Sequence, residues 1–260
     1  MDLKEAILRR RTANNAFEKK EISIEVIRDL ILSANRAPSH FNSQPWDFIL
    51  ITDQELRNTI GDIAKDSMKK LMEKGNFFSR YKKYFRFNST ETKSTKSGIH
   101  IDKLPFFLKP FVSFIFGDEG VKIMNFLNVP EILSRDAKKI VSEAPLLLGF
   151  MLKKEEYVQN EKSGIYTLIS MGAALQNLWL TATSHGIGLQ FVSTPMEIPE
   201  NWEKIKSMLK VPDTHELMAI YRLGYINQNG ERNTIDWSSD HRRDFEDLVS
   251  WNFYKTKNQS

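Results

Sequence analysis

The sequence has no cysteine, and this absence excludes several kinds of site. The chain can form no disulfide framework, no cysteine-ligated zinc or iron–sulfur centre and no cysteine nucleophile. Its five histidines are scattered without the spacing of metal ligands. The motifs G-x-S-x-G, H-E-x-x-H and G-x-G-x-x-G are absent as well, so the sequence predicts neither a side-chain nucleophile nor a protein-held metal ion.

A long apolar run is missing too. The most apolar stretch, Leu104 to Phe116, is interrupted by Lys109 and is shorter than the roughly 20 residues that a membrane-spanning helix needs. The first residues carry charges, at Asp2, Lys4 and Glu5, where a signal peptide has an apolar segment. We therefore expect a cytoplasmic protein, and the lack of cysteine fits a reducing compartment.

What the chain does have is the composition of a folded globular protein. Its 260 residues are 41% hydrophobic and 11% aromatic, which is enough for one domain with a substantial core. The net charge of +4 is small for this length. Such a charge favours anionic small molecules and does not by itself predict a nucleic-acid partner.

Local patterns predict helices and strands in mixed order. The predicted helices are residues 3–11, a helix capped by Ser23 and closed by Pro38, a helix from the capping box Thr52–Glu55 to about Gly75, Ser134–Val141, and Tyr166–Ser184 with a stop at His185–Gly186. The predicted strands are Trp46–Ile51, Pro145–Phe150 and Glu216–Leu223, and Asp240–Trp251 is a helical or extended tail. Because no regular βαβ rhythm is present, we predict an α+β fold.

Residues 76–130 differ from the rest of the single domain that we predict over residues 1–260. They contain aromatic residues interleaved with basic ones, then a Ser/Thr/Lys-rich stretch, then the apolar Leu104–Phe116 segment. We interpret them as an insertion, either a lid or a partly helical excursion. Its aromatic residues are hypothetical substrate contacts or, equally, a small packed core of their own: Phe77, Phe78, Tyr81, Tyr84, Phe85 and Phe87.

The first stretch that carries chemistry is Arg9-Arg10-Arg11-Thr12-Ala13-Asn14. Guanidinium groups match phosphate oxygens in a bidentate way, and the Thr12 hydroxyl can add a hydrogen bond. The alternative is a solvated basic end of a helix, which also suits the helix dipole.

The second stretch is Pro38-Ser39-His40-Phe41-Asn42-Ser43-Gln44-Pro45-Trp46, between a predicted helix and a predicted strand. It concentrates a hydroxyl, two amides and an imidazole. The pyrimidine edge of a flavin needs donors and acceptors together, and an amide side chain supplies both. The alternative is an ordinary polar turn, and for His40 a structural hydrogen bond is the preferred interpretation.

Together these stretches resemble the nitroreductase family of flavoproteins. The family's R-R-S/T element is similar to Arg10-Arg11-Thr12, and its A-P-S-x-x-N-x-Q-P-W element to Ala37–Trp46. The resemblance resumes after the insertion and covers most of the chain outside residues 76–130 and the last few residues. Its weaker parts are Met171–Leu178, similar to the long central helix, Gly186–Leu189, similar to the turn after it, Tyr221–Tyr225, similar to the next strand, and His241–Phe245, similar to a basic C-terminal element.

The resemblance implies a fold, a cofactor and a set of binding residues. The implied fold is a nitroreductase-like α+β domain with a mostly antiparallel or mixed sheet between helices, in an intertwined homodimer that binds FMN at its interface. Arg10, Arg11 and Thr12 would hold the phosphate with Arg242 or Arg243, and Ser39 would approach the ring from the partner. The full set of implied cofactor-binding positions is Arg10, Arg11, Thr12, Asn14, Pro38, Ser39, His40, Asn42, Gln44, Phe191, Val192, Ser193, Arg242 and Arg243.

One position departs from the family pattern. Nitroreductases often have a basic residue two positions after the Ser/Thr, and this chain has Asn14 there. A positive charge beside the flavin N1/O2 edge stabilises the reduced ring, so the flavin potential is an open question. A further basic contact comes from the region before the Pro145 strand in the family, where the candidates are Arg135, Lys138 and Lys139.

The implied activity is electron transfer on flavin N5, with no catalytic side chain. NADH or NADPH would reduce the flavin and leave, and a nitroaromatic, a quinone or a similar acceptor would then oxidise it by ping-pong kinetics. The alternatives are dehalogenation, enoate reduction or flavin breakdown on the same fold, or a flavin-binding protein without turnover. The basic and aromatic residues of 80–103 leave membrane contact as a lesser alternative, and we expect no nucleic-acid partner.

Overall fold

The computed structural model describes residues 1–14, 16–73, 80–87, 89–103, 120–227, 236–239 and 241–254. The helices among them are α1 (Leu3–Arg9), α2 (Ile24–Asn35), α3 (Gln54–Glu73), α4 (Ser89–Thr95), α5 (Gly120–Phe126), α6 (Val129–Ser142), α7 (Lys162–Ser184), α8 (Pro199–Met208) and α9 (Phe245–Leu248). The strands are β1 (Trp46–Ile51), β2 (Phe85–Arg86), β3 (Ile99–Lys103), β4 (Leu146–Lys153), β5 (Ile187–Phe191), β6 (His215–Tyr225) and β7 (Asp236–Ser238).

A four-stranded sheet in the order β1-β4-β6-β5 forms the centre of the domain, and all its neighbouring strands are antiparallel. Helices α2 and α7 cover one face, where their apolar residues pack on Leu148, Leu189 and Leu223. Helices α3, α6 and α8 cover the other face around Leu147 and Ile220. The predicted α+β fold with a mostly antiparallel sheet between helices is therefore confirmed.

Several local predictions are confirmed residue by residue. The Ser23 Oγ accepts a hydrogen bond from the Val26 N–H at 3.4 Å and caps α2, as its position predicted. Strand β1 has the predicted bounds. Helix α7 ends where His185–Gly186 predicted, and Gly186 has a left-handed φ of 70°, which glycine adopts without steric cost.

Other local predictions were wrong or incomplete. The cap of α3 is Asp53, whose Oδ1 accepts from the Leu56 N–H at 2.7 Å, and not Thr52, because the helix begins one residue later than the capping box placed it. Helix α1 ends at Arg9, two residues early. Of the predicted Gly186–Leu189 turn only Gly186 lies in a turn, and Ile187–Leu189 begin strand β5, which pairs with β6. Helix α8 had no predicted counterpart.

The predicted insertion is described in part. Strands β2 and β3 from it form a second small sheet with β7, in the order β2-β3-β7, so the insertion lies beside the C-terminal region. Phe77, Phe78 and the apolar Leu104–Phe116 segment lie outside the described residues. Among the helices that are described, none is both long and apolar enough to span a membrane.

Candidate functional site

Arginine side chains gather at the end of α1. Arg10 caps this helix, with its N–H donating to the Ala6 carbonyl at 2.9 Å, and its guanidinium lies 5.0 Å from the centre of the Trp179 ring on α7. Burial lowers the pKa of Arg10, and the positive charges of Arg242 and Arg11 lower it further. Three guanidinium groups from two distant parts of the chain therefore repel one another, and an anion bound between them would relieve that repulsion.

The carbonyls of neighbouring turns orient two of these arginines. The Arg11 Nη1 donates to the Leu8 carbonyl at 2.8 Å, and the Arg242 Nη1 donates to the His241 carbonyl at 2.8 Å. Arg243 is exposed. Arg242 and Arg243 line an open cavity of about 410 Å³ together with Lys96 from the predicted insertion. We call Arg10, Arg11, Thr12 and Arg242 the arginine cluster.

Residues 12–14 lie directly against strand β5. Thr12 forms a parallel bridge with Leu189, and the Ala13 N–H donates to the Leu189 carbonyl at 2.9 Å. This close approach requires Gly188, because a Cβ there would be only 2.6 Å from the Ala13 Cβ. Asn14 follows as a half-buried residue. The sheet thus fixes the segment that carries the arginine cluster.

Strand β5 ends in the segment predicted to pass beside a flavin ring. The Phe191 ring is exposed and lies 5.3 Å from the Tyr221 ring, while Val192 is buried and its N–H donates to the Ile220 carbonyl at 2.8 Å. Ser193 is exposed. Burial raises the pKa of Tyr221 to about 12, so this phenol stays neutral.

The loop of residues 38–44, which we call the amide loop, has an unusual backbone. Phe41, Asn42 and Gln44 have φ values of 49°, 57° and 46°. A left-handed conformation costs a residue with a side chain roughly 1–2 kcal/mol, and somewhat less for asparagine. Strain of this kind is characteristic of functional loops that the surrounding structure holds in place.

Hydrogen bonds and one ring contact hold the amide loop. The Gln44 N–H donates to the Ser39 Oγ at 3.0 Å, and the Gln44 Nε2 donates to the Asn42 Oδ1 at 3.3 Å. The His40 N–H donates to the Ser170 Oγ at 3.3 Å, and its ring is stacked on Tyr166 with 4.6 Å between centroids. His40 therefore anchors the loop to α7. Pro38 and Asn42 are exposed.

The structure separates the two groups of predicted residues within one chain. The amide loop contacts α7 at Tyr166 and Ser170, whereas the arginine cluster contacts the same helix at Trp179. Nine residues of helix correspond to about 13 Å along its axis. The phosphate and ring residues of one chain thus occupy different parts of α7.

Large apolar side chains are exposed around this helix. Ile169, on α7, is 65% exposed, and Phe41, at the tip of the amide loop, is 93% exposed. Others lie on α1, elsewhere on α7 and in the C-terminal segment: Leu3, Ile7, Leu8, Ile165, Leu168, Phe245, Leu248, Trp251, Phe253 and Tyr254. Of these elements, α1 packs against α7, and a contiguous exposed apolar surface marks an interaction site.

Three contacts near the site were not predicted. Arg80 and Tyr81 of the insertion bond to the Glu197 carboxylate, which follows the Phe191–Ser193 segment. Lys96 pairs with Asp244 beside the arginine cluster. The third set of contacts is made by Arg222, which is buried in β6. None left a signal in the sequence, because each depends on pairing between distant segments.

The basic candidates before β4 lie on α6. Lys138 pairs with Asp62 on α3 at 2.5 Å, and Arg135 lies 3.9 Å from Glu131 of its own helix. Lys139 lines a separate cavity of about 830 Å³ at the edge of the sheet where β4 begins. Since Lys138 and Arg135 face carboxylates, neither offers an uncompensated charge to a ligand.

A family model and a curated relative match this chain. The family model described as "Nitroreductase family" matches residues 7–225 of the sequence. An iodotyrosine deiodinase of Thermotoga neapolitana is 25% identical over 223 residues, which are 84% of this chain and 86% of that protein.

Solved structures match the fold at lower identity. An iodotyrosine deiodinase bound to FMN and 3-iodo-L-tyrosine has a TM-score of 0.59 and 18% identity, with 97% of this chain and 100% of that chain covered. The NADPH:FMN oxidoreductase of Vibrio harveyi, in complex with NAD⁺, has a TM-score of 0.58 and 17% identity, with 98% and 79% covered. At these identities the likeness establishes the architecture alone.

Proposed function

The chain belongs to the nitroreductase family, and from this premise we propose that it is an FMN-dependent oxidoreductase that works as a homodimer. The observation that carries the proposal is the arginine cluster, in which Arg10 is half-buried beside Arg11 and Arg242. A concentration of positive charge that the fold itself builds suits the phosphate of a cofactor.

The residues that are present fit FMN at both of its ends. The arginine cluster provides guanidinium donors for the phosphate, and Thr12 provides a hydroxyl on the same segment. The amide loop provides the Asn42 and Gln44 side chains, which can both donate to and accept from the pyrimidine edge of the ring. Phe191–Ser193, at the end of β5, would pass beside the ring and offer backbone groups to it.

We propose that each binding site is shared by two copies of the chain. The amide loop and the arginine cluster of one chain contact different parts of α7, and in this proposal an amide loop from a second copy completes each site. The exposed apolar residues of α1, α7 and the C-terminal segment would then be buried between the copies. Obligate interfaces have this apolar character.

FMN, when bound, would take up electrons from a donor and return them to an acceptor. The chain's own contribution is to bind and orient. The neutral Tyr221 supports Phe191, and contacts with Ser170 and Tyr166 on α7 hold the strained amide loop in shape. The insertion contacts Glu197 through Arg80 and Tyr81, and it contacts Asp244 through Lys96. It would form a lid that limits the access of water and acceptors.

NADH or NADPH is the proposed donor, and a nitroaromatic, a quinone or a similar electron-poor molecule is the proposed acceptor. The likeness to an NADPH:FMN oxidoreductase supports the donor class. Because donor and acceptor would use the same face of the cofactor in turn, the kinetics should be ping-pong. Intersecting lines in initial-rate plots would contradict this order.

The test of the proposal is an absorbance spectrum of the purified protein before and after anaerobic addition of NADH and, separately, NADPH. Flavin bands that bleach with either nucleotide are expected. A colourless protein that binds no added FMN would overturn the assignments of both the arginine cluster and the amide loop.

A second candidate is reductive dehalogenation of an aromatic substrate. The similarity to an iodotyrosine deiodinase over 84% of the chain favours it. The two functions separate when chemically reduced protein receives 3-iodo-L-tyrosine or a nitroaromatic without oxygen. Iodide release with flavin reoxidation would establish the second candidate, whereas reoxidation by the nitroaromatic alone would support the first.

A further inference from the structure

Arg222 lies in the middle of β6 with 1% of its surface exposed. Its Nη2 donates to the Ala13 carbonyl at 2.7 Å, and its Nε donates to the Gln190 Oε1 at 2.6 Å. The guanidinium also lies 4.6 Å from the centre of the Phe17 ring. A charged side chain in a sheet interior is costly to bury and is usually retained for a function.

The hydrogen bonds of Arg222 join two walls of the proposed flavin site. Ala13 lies between Thr12 of the arginine cluster and Asn14, so one bond fixes the segment that would hold the phosphate. Gln190 immediately precedes Phe191, so the other bond fixes the segment that would pass beside the ring. This side chain therefore links the two segments a second time, beside the hydrogen bond from the Ala13 N–H to the Leu189 carbonyl.

Arg222 also adds a charge at this place. Its partners shown among the described residues, which are the Ala13 and Ile140 carbonyls, the Gln190 amide and the Phe17 ring, are neutral. Burial lowers the pKa of Arg222 to about 9, so the guanidinium is positive at neutral pH. A charge within the protein interior acts through a lower effective dielectric than one at the surface. Its field at neighbouring segments is therefore screened less than that of a surface charge.

On this geometry we propose that Arg222 is a positioning residue that supplies, through Ala13 and Asn14, the positive field that nitroreductases often obtain from a basic side chain at position 14. The inference rests on the proposed function. Its field would favour the reduced cofactor over the oxidised one, because the reduced form carries more negative charge. Asn14 can then be neutral without loss of that preference.

Gln190→Glu tests the charge with little change of shape. The new carboxylate would keep the hydrogen bond to the Arg222 Nε and cancel its charge in place. The matched control is Gln190→Leu, which removes the bond and leaves the charge. Arg222→Met removes both. For each FMN-loaded protein, the midpoint potential is measured against a reference dye, and the melting temperature is measured alongside.

We expect Gln190→Glu and Arg222→Met to weaken the preference for reduced over oxidised FMN about tenfold. For a two-electron couple this corresponds to a midpoint potential about 30 mV lower than that of the wild type. Gln190→Leu should stay close to the wild-type potential, even if its melting temperature falls. A purely structural brace would change affinity for both redox forms equally, so an unchanged potential in Gln190→Glu would overturn the inference.

Two failures remain distinguishable. If the wild-type protein binds no FMN, the proposed function fails before any variant is compared. If wild type holds FMN and Gln190→Glu keeps the wild-type potential, only the role of Arg222 is wrong. Should Arg222→Met not fold, the Gln190 pair still decides the question, because both of its members retain the arginine.

Discussion

The arginine cluster and the amide loop are two halves of one proposed site, and they are built in opposite ways. The cluster depends on side-chain charge: Arg10 caps a helix, and burial together with the nearby charge of Arg242 lowers its pKa. The amide loop depends on backbone shape, with left-handed φ values at Phe41, Asn42 and Gln44. One half would supply binding free energy, and the other would supply geometry.

The difference explains why the halves lie apart within one chain. A cluster of positive charge is tolerated where it is partly exposed and where helix-end carbonyls are near, as at the end of α1. A strained loop needs firm anchors, which the Ser170 hydroxyl and the Tyr166 ring provide. Since α7 carries both supports, pairing two copies of this helix would bring the cluster of one beside the loop of the other.

The largest expected effect comes from reversing a charge in the cluster. Arg10→Glu should weaken FMN binding by at least about a hundredfold, since a charge-assisted hydrogen bond is worth roughly 1.5–3 kcal/mol and a like charge would also oppose the phosphate. Fluorescence titration of FMN measures the change. Arg9→Ala is the control, because Arg9 is an exposed neighbour paired with Glu5; equal losses in both variants would contradict the assignment.

Gly188→Ala should have the next largest effect. The added Cβ would lie 2.6 Å from the Ala13 Cβ and 2.9 Å from Ile226, so the segment carrying the cluster must move. We expect a loss of about 1–3 kcal/mol in the free energy of unfolding, measured by denaturant titration, together with weaker FMN binding. Gly149→Ala is the control. The Cβ added at Gly149 would have its nearest atoms, on Ile49 and Leu217, at 3.3 Å, and neither residue belongs to the segment that carries the cluster, so the FMN affinity of this variant should be unchanged.

A smaller effect is expected in the amide loop. Ser39→Ala removes the Oγ that accepts the Gln44 N–H, which should cost about 1 kcal/mol. FMN binding should weaken by roughly fivefold, a loss that isothermal titration resolves. Ser43→Ala, in the same loop, leaves that bond intact. If it weakened binding as much as Ser39→Ala does, the bond would not be what shapes the loop.

The smallest predicted effect concerns the surface of α7. Around Gly172, an added Cβ meets nothing within 4 Å among the described residues of a single chain. In an isolated chain Gly172→Ala should therefore stabilise α7 by roughly 0.5–1 kcal/mol. If two α7 helices approach each other there, the same change should weaken the dimer. Sedimentation velocity across a concentration series separates the cases, and an unaltered or tighter dimer would exclude close approach at Gly172.

Elements set by local patterns were predictable from the sequence. The Ser23 cap gave the start of α2, and Trp46–Ile51 had the right composition and flanking turn for a strand. The arginine cluster and the amide loop could be selected because their residue types concentrate chemistry in a few positions. Their roles toward FMN stay predictions until the binding experiments are done.

Elements that depend on distant pairing were not predictable. The family resemblance predicted a turn at Gly186–Leu189, yet Ile187–Leu189 lie in strand β5, where Gly188 has no Cβ to obstruct the approach of Ala13. An arginine within a predicted strand gives no sign of being buried, so the role of Arg222 emerged only when the fold brought Ala13 and Gln190 to it. The insertion's contacts with Glu197 and Asp244 could not be predicted either, because they also join distant segments of the chain.

The most direct test of the shared site is subunit complementation. A chain carrying Arg10→Glu is mixed with a chain whose amide loop carries Ser39→Ala, Asn42→Ala and Gln44→Ala, and the heterodimer is purified through two different tags. If each site joins the cluster of one chain to the loop of the other, the heterodimer has one intact site. It should bind one FMN per dimer, although each parent homodimer binds almost none. A stable heterodimer that binds no FMN would show that both halves act within the same chain, and it would contradict the account.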